Sequence, residues 1–131
     1  MNHEEQGMNG NDAVERGTLN ALTAQAFTHA VEHAPELVLV DFYADWCPPC
    51  HAVRPILEGL AREYAGRVTI GKVDADAEPA LMARFQIRSL PTVLYFKGGV
   101  VVDTVVGAQP RRVFEAKIRE QIGRDQLDAA V

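Results

Sequence analysis

The feature that most constrains this chain is a pair of cysteines, Cys47 and Cys50, placed between two different hydrophobic patterns. The apolar run Leu37–Val40 precedes the pair and is typical of a strand buried on both faces. After the pair, apolar residues recur at the spacing of one helix face, at Val53, Ile56, Leu57, Leu60 and Tyr64. The chain therefore passes from a strand to a helix at the Cys-x-x-Cys motif, which places Cys47 at the helix N-terminus.

This position favours reactive thiol chemistry. The thiolate is the reactive form of cysteine, and the partial positive charge of a helix N-terminus stabilises it. Cys47 can attack a disulfide in another molecule, and Cys50 is close enough to attack the mixed disulfide and release the product. The alternatives are an inert thiol pair or half of a zinc site. Zinc usually takes four ligands and no second cysteine pair exists, although a metal shared between two chains stays open.

The segment from Asp41 to Cys50 resembles the active-site segment of the thioredoxin family, which usually reads Trp-Cys-Gly-Pro-Cys. The resemblance extends from about Leu19 to Ile122. Within it, Ser89–Thr92 resembles the family's cis-proline loop, and Val106–Ala108 resembles its substrate-side glycine loop. The resemblance implies the thioredoxin fold, an α/β fold with a central mixed five-stranded sheet in the order 1-3-2-4-5 and helices on both faces.

The rest of the chain predicts the order strand, helix, strand, helix, strand, helix, strand, strand, helix. The predicted elements are a strand over 18–22, a helix capped by Thr23 and stopped by Pro35, a strand over 37–43, a helix over 47–64 kinked at Pro55, a strand over 68–73, a short helix opened by Pro79, strands over 92–96 and 100–106, and a helix opened by Pro110. Gly98 and Gly99 predict an antiparallel hairpin. We also predict a disordered polar tail over 1–16, a domain over 17–123, and a C-terminal end over 124–131 that frays from Gly123.

Asp41 interrupts the buried strand, where a carboxylate is costly unless it has a partner or a task. We interpret it as the group that moves a proton to and from Cys50, because burial raises the pKa of a carboxyl toward the working pH. The alternative is a buried acid satisfied by hydrogen bonds. By the resemblance, Asp41 matches the family's buried aspartate and Lys72 matches a lysine near it. Lys72 is otherwise a strand-end lysine that reaches solvent.

Four residues are candidates for a substrate-binding groove. Trp46 lies at a strand exit, which predicts a partly exposed ring that contacts protein substrates, although core packing is the alternative. The resemblance implies a cis bond before Pro91, which would leave the backbone of Leu90 exposed beside Cys47, where a substrate chain can add as a strand. Gly107 would let that chain approach closely.

Three residues depart from the family pattern: Pro48 replaces glycine, Tyr43 replaces a frequent tryptophan, and His51 replaces a common lysine. Pro48 and Pro49 have no backbone N–H, so the Cys47 thiolate has fewer donors near it. We therefore expect moderate acidification of Cys47 and a reductant rather than an oxidant. A protonated His51 would act in the opposite direction.

Composition narrows the remaining roles. A length of 131 residues indicates one domain, and a net charge of −5 argues against a nucleic-acid surface. Because the sequence has no membrane-spanning run and no signal-peptide pattern, we expect a cytoplasmic protein, and we expect a monomer. The resemblance implies a protein-disulfide reductase that acts on oxidised proteins with accessible disulfides, needs no bound cofactor, and is recycled by the NADPH-dependent flavoprotein thioredoxin reductase. The alternatives are a disulfide oxidase or isomerase, an adaptor or chaperone with incidental redox activity, and a metal-bridged dimer.

Overall fold

The computed structural model describes the backbone of residues 14–130 and the side chains of residues 14–124. Within this range the elements are β1 (Leu19–Ala21), α1 (Ala24–Phe27) continued by a π-helical turn (Thr28–Glu32), β2 (Leu37–Tyr43), α2 (Pro48–Glu63), β3 (Val68–Asp74), α3 (Pro79–Arg84), β4 (Thr92–Lys97), β5 (Val100–Val106) and α4 (Arg111–Ala130). The predicted order of elements is confirmed.

The strands form one mixed sheet in the order β1-β3-β2-β4-β5, so the fold and strand order implied by the resemblance are confirmed. β3 pairs in parallel with β1 and β2, whereas β4 pairs antiparallel with β2 and β5. β2 is therefore central, and Asp41 lies on it opposite Lys72 of β3 and Val93 of β4. This register places Asp41 and Lys72 directly opposite each other on adjacent strands.

β2 is buried on both faces, as its apolar run predicts. Leu37 and Leu39 pack into a core cluster with residues of α2 and α4, while Val38, Val40 and Phe42 pack into a second cluster with residues of α1 and α3. Side chains alternate across a strand, so Asp41 lies on the same face of the sheet as Leu37 and Leu39. That face is the one covered by α2, the helix that carries the cysteine pair.

The first helix differs from its prediction. Thr23 caps α1 as expected, because its Oγ1 accepts a hydrogen bond from the Ala26 N–H at 3.2 Å. The helix then widens into a π turn, closed by a hydrogen bond from the His33 N–H to the Thr28 carbonyl at 3.1 Å, and ends before Pro35. Apolar spacing in so short a segment does not distinguish a π turn from an α turn.

Both ends of the described chain differ from the predicted boundaries. At the start, residues 1–13 of the predicted tail lie outside the described residues, but Val14 packs against the second core cluster and the Glu15 N–H donates to Asn20 Oδ1 at 2.8 Å. At the other end, α4 continues to Ala130 instead of fraying at Gly123, because one glycine weakens a helix by only about 1 kcal/mol without stopping it. Although α4 is 20 residues long, the described residues include no helix that is long and apolar enough to cross a membrane.

Gly71 on β3 has no room for a side chain. A Cβ added there would lie 2.5 Å from Cδ1 and 2.8 Å from Cγ of the buried Leu22. We expect Gly71→Ala to lower the free energy of unfolding by about 1–3 kcal/mol, because a packed core must shift. Urea denaturation of the two proteins measures this difference. Gly123→Ala is the matched control: nothing lies within 4 Å of the added Cβ, and we expect it to raise stability by roughly 0.5–1 kcal/mol. Equal stability of the Gly71→Ala and original proteins would contradict the packing argument.

Candidate active site

The cysteine pair lies where its sequence context predicts, at the start of α2. Cys47 is the N-cap residue, and its Sγ accepts a hydrogen bond from the Cys50 N–H at 3.3 Å. Pro48 and Pro49 occupy the first helical positions and have no N–H to offer. The two sulfurs form a disulfide, with the Cα atoms 5.3 Å apart. The oxidised protein therefore directs the first available backbone N–H of the helix at the sulfur of Cys47.

Both cysteines are buried, with 4% of Cys47 and 1% of Cys50 exposed, but their surroundings differ. Cys47 lines an open groove of about 450 Å³, together with Trp46, Asp76, Met82 and Leu90 among others. Cys50 does not line this groove and packs with Cys47 and Ala44 in a small buried cluster. A molecule entering the groove therefore meets the Cys47 side of the disulfide.

Trp46 forms one wall of this groove. Its ring is 68% exposed, and its indole Nε1–H donates a hydrogen bond to Asp76 Oδ2 at 2.9 Å. This exposure agrees with the predicted partly exposed side chain and not with core packing, while its contact with protein substrates stays a prediction. Asp76 was not among the predicted site residues. The structure shows that it holds the Trp46 ring, and no local sequence signal connects two residues 30 positions apart.

The two loops singled out by the resemblance lie together. The Leu90–Pro91 peptide bond is cis. The Gly107 N–H donates to the Pro91 carbonyl at 2.8 Å, and Gly107 has a φ of +89°, a conformation that favours glycine. Leu90 lines the groove and packs against the cluster of Cys47 and Cys50. The structure therefore brings Leu90, Pro91 and Gly107 to the same side of the site.

Asp41 is buried on the sheet face that α2 covers, with 1% of its surface exposed. Its Oδ1 has no hydrogen-bond partner among the described residues. Burial raises the pKa of Asp41 from its ordinary value of 3.8 to about 7, against the opposing charges of Arg54 and Lys72. Near neutral pH, both the protonated and the ionised form of the Asp41 carboxyl group are therefore populated.

Two cations lie on the ring of Tyr43, beside Asp41. The guanidinium carbon of Arg54 is 5.2 Å from the ring centroid, and Nζ of Lys72 is 5.5 Å from it. The prediction placed Lys72 near Asp41, and the register agrees with it. Arg54 was missed. The sequence feature that could have identified Arg54 is its position four residues after Cys50, which places both residues on the same face of the helix.

His51 contacts the loop before Trp46. Its Nε2 lies 2.7 Å from the carbonyl oxygen of Asp45, so this nitrogen donates the hydrogen bond. The contact ties the first turn of α2 to the segment that leads into the cysteine pair.

Comparisons with known proteins agree with this geometry. The family model named Thioredoxin matches residues 18–120. The chain is 43% identical over 101 residues to the thioredoxin of Chlorobaculum thiosulfatiphilum, covering 77% of this chain and 94% of that protein. It is 42% identical over 101 residues to thioredoxin 2 of Chlorobaculum tepidum, covering 77% and 93%. Against the chloroplastic M-type thioredoxin of Pisum sativum it is 45% identical over 85 residues, covering 65% and 49%. We conclude that this thiol-disulfide oxidoreductase, a protein-disulfide reductase of the thioredoxin type, belongs to the thioredoxin family.

Proposed function

We propose that Cys47 attacks disulfides in oxidised proteins and that Cys50 resolves the intermediate. The observation that supports this assignment is that Cys47 lines the groove and Cys50 does not. The Cys47 thiolate forms a mixed disulfide and releases one substrate thiolate. Cys50 then attacks the Cys47 sulfur, which re-forms the Cys47–Cys50 disulfide and releases the second substrate thiol. Two electrons and two protons pass from the dithiol to the substrate.

We assign to Asp41 the role of accepting the proton of the Cys50 thiol. Cys50 lies on α2, and Asp41 lies on the sheet face that α2 covers. A carboxyl group whose pKa is about 7 can accept the Cys50 proton when that thiol must attack, and can return it later. Lys72 adds a positive charge next to Asp41 and favours its ionised form.

The groove beside Cys47 is our candidate substrate-binding site. Trp46 offers a largely exposed apolar ring held in place by Asp76. The N–H and C=O groups of Leu90 form no backbone hydrogen bond within the described part of the chain, so a substrate strand can pair with them. The hydrogen bond from the Gly107 N–H to the Pro91 carbonyl holds the adjoining backbone in place.

The direction of electron flow follows from the motif. With prolines at positions 48 and 49, only the Cys50 N–H donates to Cys47 Sγ from this turn in the described structure. Few donors mean a modestly stabilised thiolate and hence a reducing couple. We propose that the NADPH-dependent flavoprotein thioredoxin reductase recycles the disulfide, since that is the usual partner of the family. We also propose a cytoplasmic monomer, although the relatives include chloroplastic as well as bacterial thioredoxins.

A coupled assay tests this function. Purified protein is mixed with NADPH, a bacterial thioredoxin reductase and insulin, and NADPH oxidation is recorded together with insulin precipitation. We expect both to require this protein. The reduction potential, measured by equilibration of Cys47 and Cys50 with glutathione, should lie below the cytosolic glutathione poise of roughly −240 mV.

A potential well above that value would contradict the reductase proposal and favour a disulfide oxidase or isomerase. The variant with both cysteines changed to serine tests the adaptor alternative. If that variant still supported the cellular role of the chain, redox chemistry would be incidental. Metal analysis of the purified protein tests the metal-bridged dimer.

A further inference from the structure

The ring of Tyr43 has an unusual pair of neighbours. Arg54 of α2 and Lys72 of β3 both place their charges close to it, at 5.2 and 5.5 Å from the centroid. A cation within about 6 Å of an aromatic ring is attracted to the electron-rich face of that ring. The Tyr43 ring therefore attracts both side chains, one from a helix and one from the neighbouring strand.

The position of the ring relates this pair to the buried acid. Tyr43 follows Asp41 by two residues on β2, so both side chains lie on the same face of the sheet. Lys72 is paired with Asp41 across the sheet. Arg54 follows Cys50 by four residues, so both lie on the same face of α2. The ring is therefore the point where the helix of the cysteines, the strand of the acid and the neighbouring strand meet.

We propose that Arg54 and Tyr43 are positioning residues for the reaction: the Tyr43 ring holds the Arg54 guanidinium and the Lys72 ammonium, and both cations then act on the Asp41 carboxyl. This inference rests on the proposed role of Asp41 as the proton carrier. Arg54 stabilises the ionised form of Asp41 through its charge, while Oδ1 of Asp41 accepts no hydrogen bond from the described residues.

The charges around Asp41 determine whether its pKa rises or falls when Arg54 is replaced. α2 contributes Cys50 and the Arg54 cation, and β3 contributes the Lys72 cation. On β4, the paired residue is Val93, which carries no charge.

Burial, with the negative charges of Asp74 and Asp45, raises the pKa of the Tyr43 phenol. Burial favours the protonated acid and the two cations favour the ionised acid. Loss of one cation therefore moves the ionisation of Asp41 to higher pH.

The first test changes the charge of Arg54. Arg54→Gln removes the cation, Arg54→Lys keeps it, and Arg62→Gln removes an exposed arginine from the last turn of the same helix. The ionisation of Asp41 is followed by carboxyl ¹³C NMR in the oxidised protein. In Arg54→Gln we expect the midpoint to rise by roughly half a pH unit, and the ionised fraction at pH 7 to fall about twofold to threefold. Arg54→Lys and Arg62→Gln should stay near the original midpoint. An unchanged midpoint in Arg54→Gln would overturn the proposal.

The second test changes the ring. Tyr43→Phe keeps the aromatic face, so the midpoint of Asp41 should stay near its original value. Tyr43→Leu keeps an apolar side chain of similar burial but frees both cations, so the midpoint should rise in the same direction as in Arg54→Gln. Equal midpoints in Tyr43→Phe and Tyr43→Leu would show that the ring does not hold the cations.

These readouts separate this inference from the proposed function. The NMR midpoint reports the charges acting on Asp41 whether or not Asp41 carries the catalytic proton. The pH profile of disulfide exchange reports that second role, and it should shift with the NMR midpoint in Arg54→Gln. A shifted NMR midpoint with an unshifted rate profile would refute Asp41 as the proton carrier and keep the electrostatic assignment of Arg54.

Discussion

Replacing Cys47 with serine is expected to lower the rate of insulin disulfide reduction by at least about a thousandfold, because a serine hydroxyl is not ionised at neutral pH and cannot attack a disulfide. Cys47 is the sulfur that lines the groove, so no other group in the described site can replace it there. The rate is measured with dithiothreitol or with thioredoxin reductase as the electron source.

Cys50→Ser distinguishes the two cysteines. This variant keeps the attacking Cys47 but lacks the resolving thiol, so it should form a mixed disulfide with the substrate and retain it. Mass spectrometry of the trapped complex identifies the linked cysteine. Efficient trapping by Cys47→Ser, with none by Cys50→Ser, would reverse the assigned roles of the pair.

Asp41→Asn is expected to raise the free energy of unfolding of the oxidised protein by about 4 kcal/mol more at pH 8 than at pH 3. In the folded protein, burial raises the pKa of Asp41 from 3.8 to about 7. Between these values the unfolded chain has lost its proton and the folded chain keeps it, so stability falls as pH rises. The loss of stability is complete above the pKa of Asp41 in the folded protein, about 7, and absent below its ordinary pKa of 3.8. Asparagine does not titrate, so the variant lacks this loss.

Guanidinium denaturation of both oxidised proteins across this pH range measures the difference. Asp45→Asn is the matched control, since it makes the same substitution at an exposed aspartate near the site. Parallel stability curves for Asp41→Asn and the original protein would contradict the raised pKa. The same variant should reduce disulfides more slowly and lose the part of the pH dependence that Asp41 provides.

The sequence alone predicted the parts of this protein that local pattern controls. An apolar strand followed by a helical repeat placed Cys47 at a helix N-terminus, and the structure confirms that position. An acid inside an apolar run predicted a buried carboxyl group, and Asp41 is buried. These predictions succeed because periodicity and capping act over a few neighbouring residues. The strand order came from the resemblance to a family, and the structure confirms it.

The tertiary structure alone decided which distant residues meet. The contact of Trp46 with Asp76 and the contacts of Arg54 and Lys72 with Tyr43 join separate elements. A side chain's partner across elements depends on sheet register and helix position, which no local pattern encodes. The extension of α4 past Gly123 likewise shows that a weak local signal does not end a helix. In this protein, sequence determines the reacting groups, and the packing of α2 against β2 and β3 determines the charges that act on them.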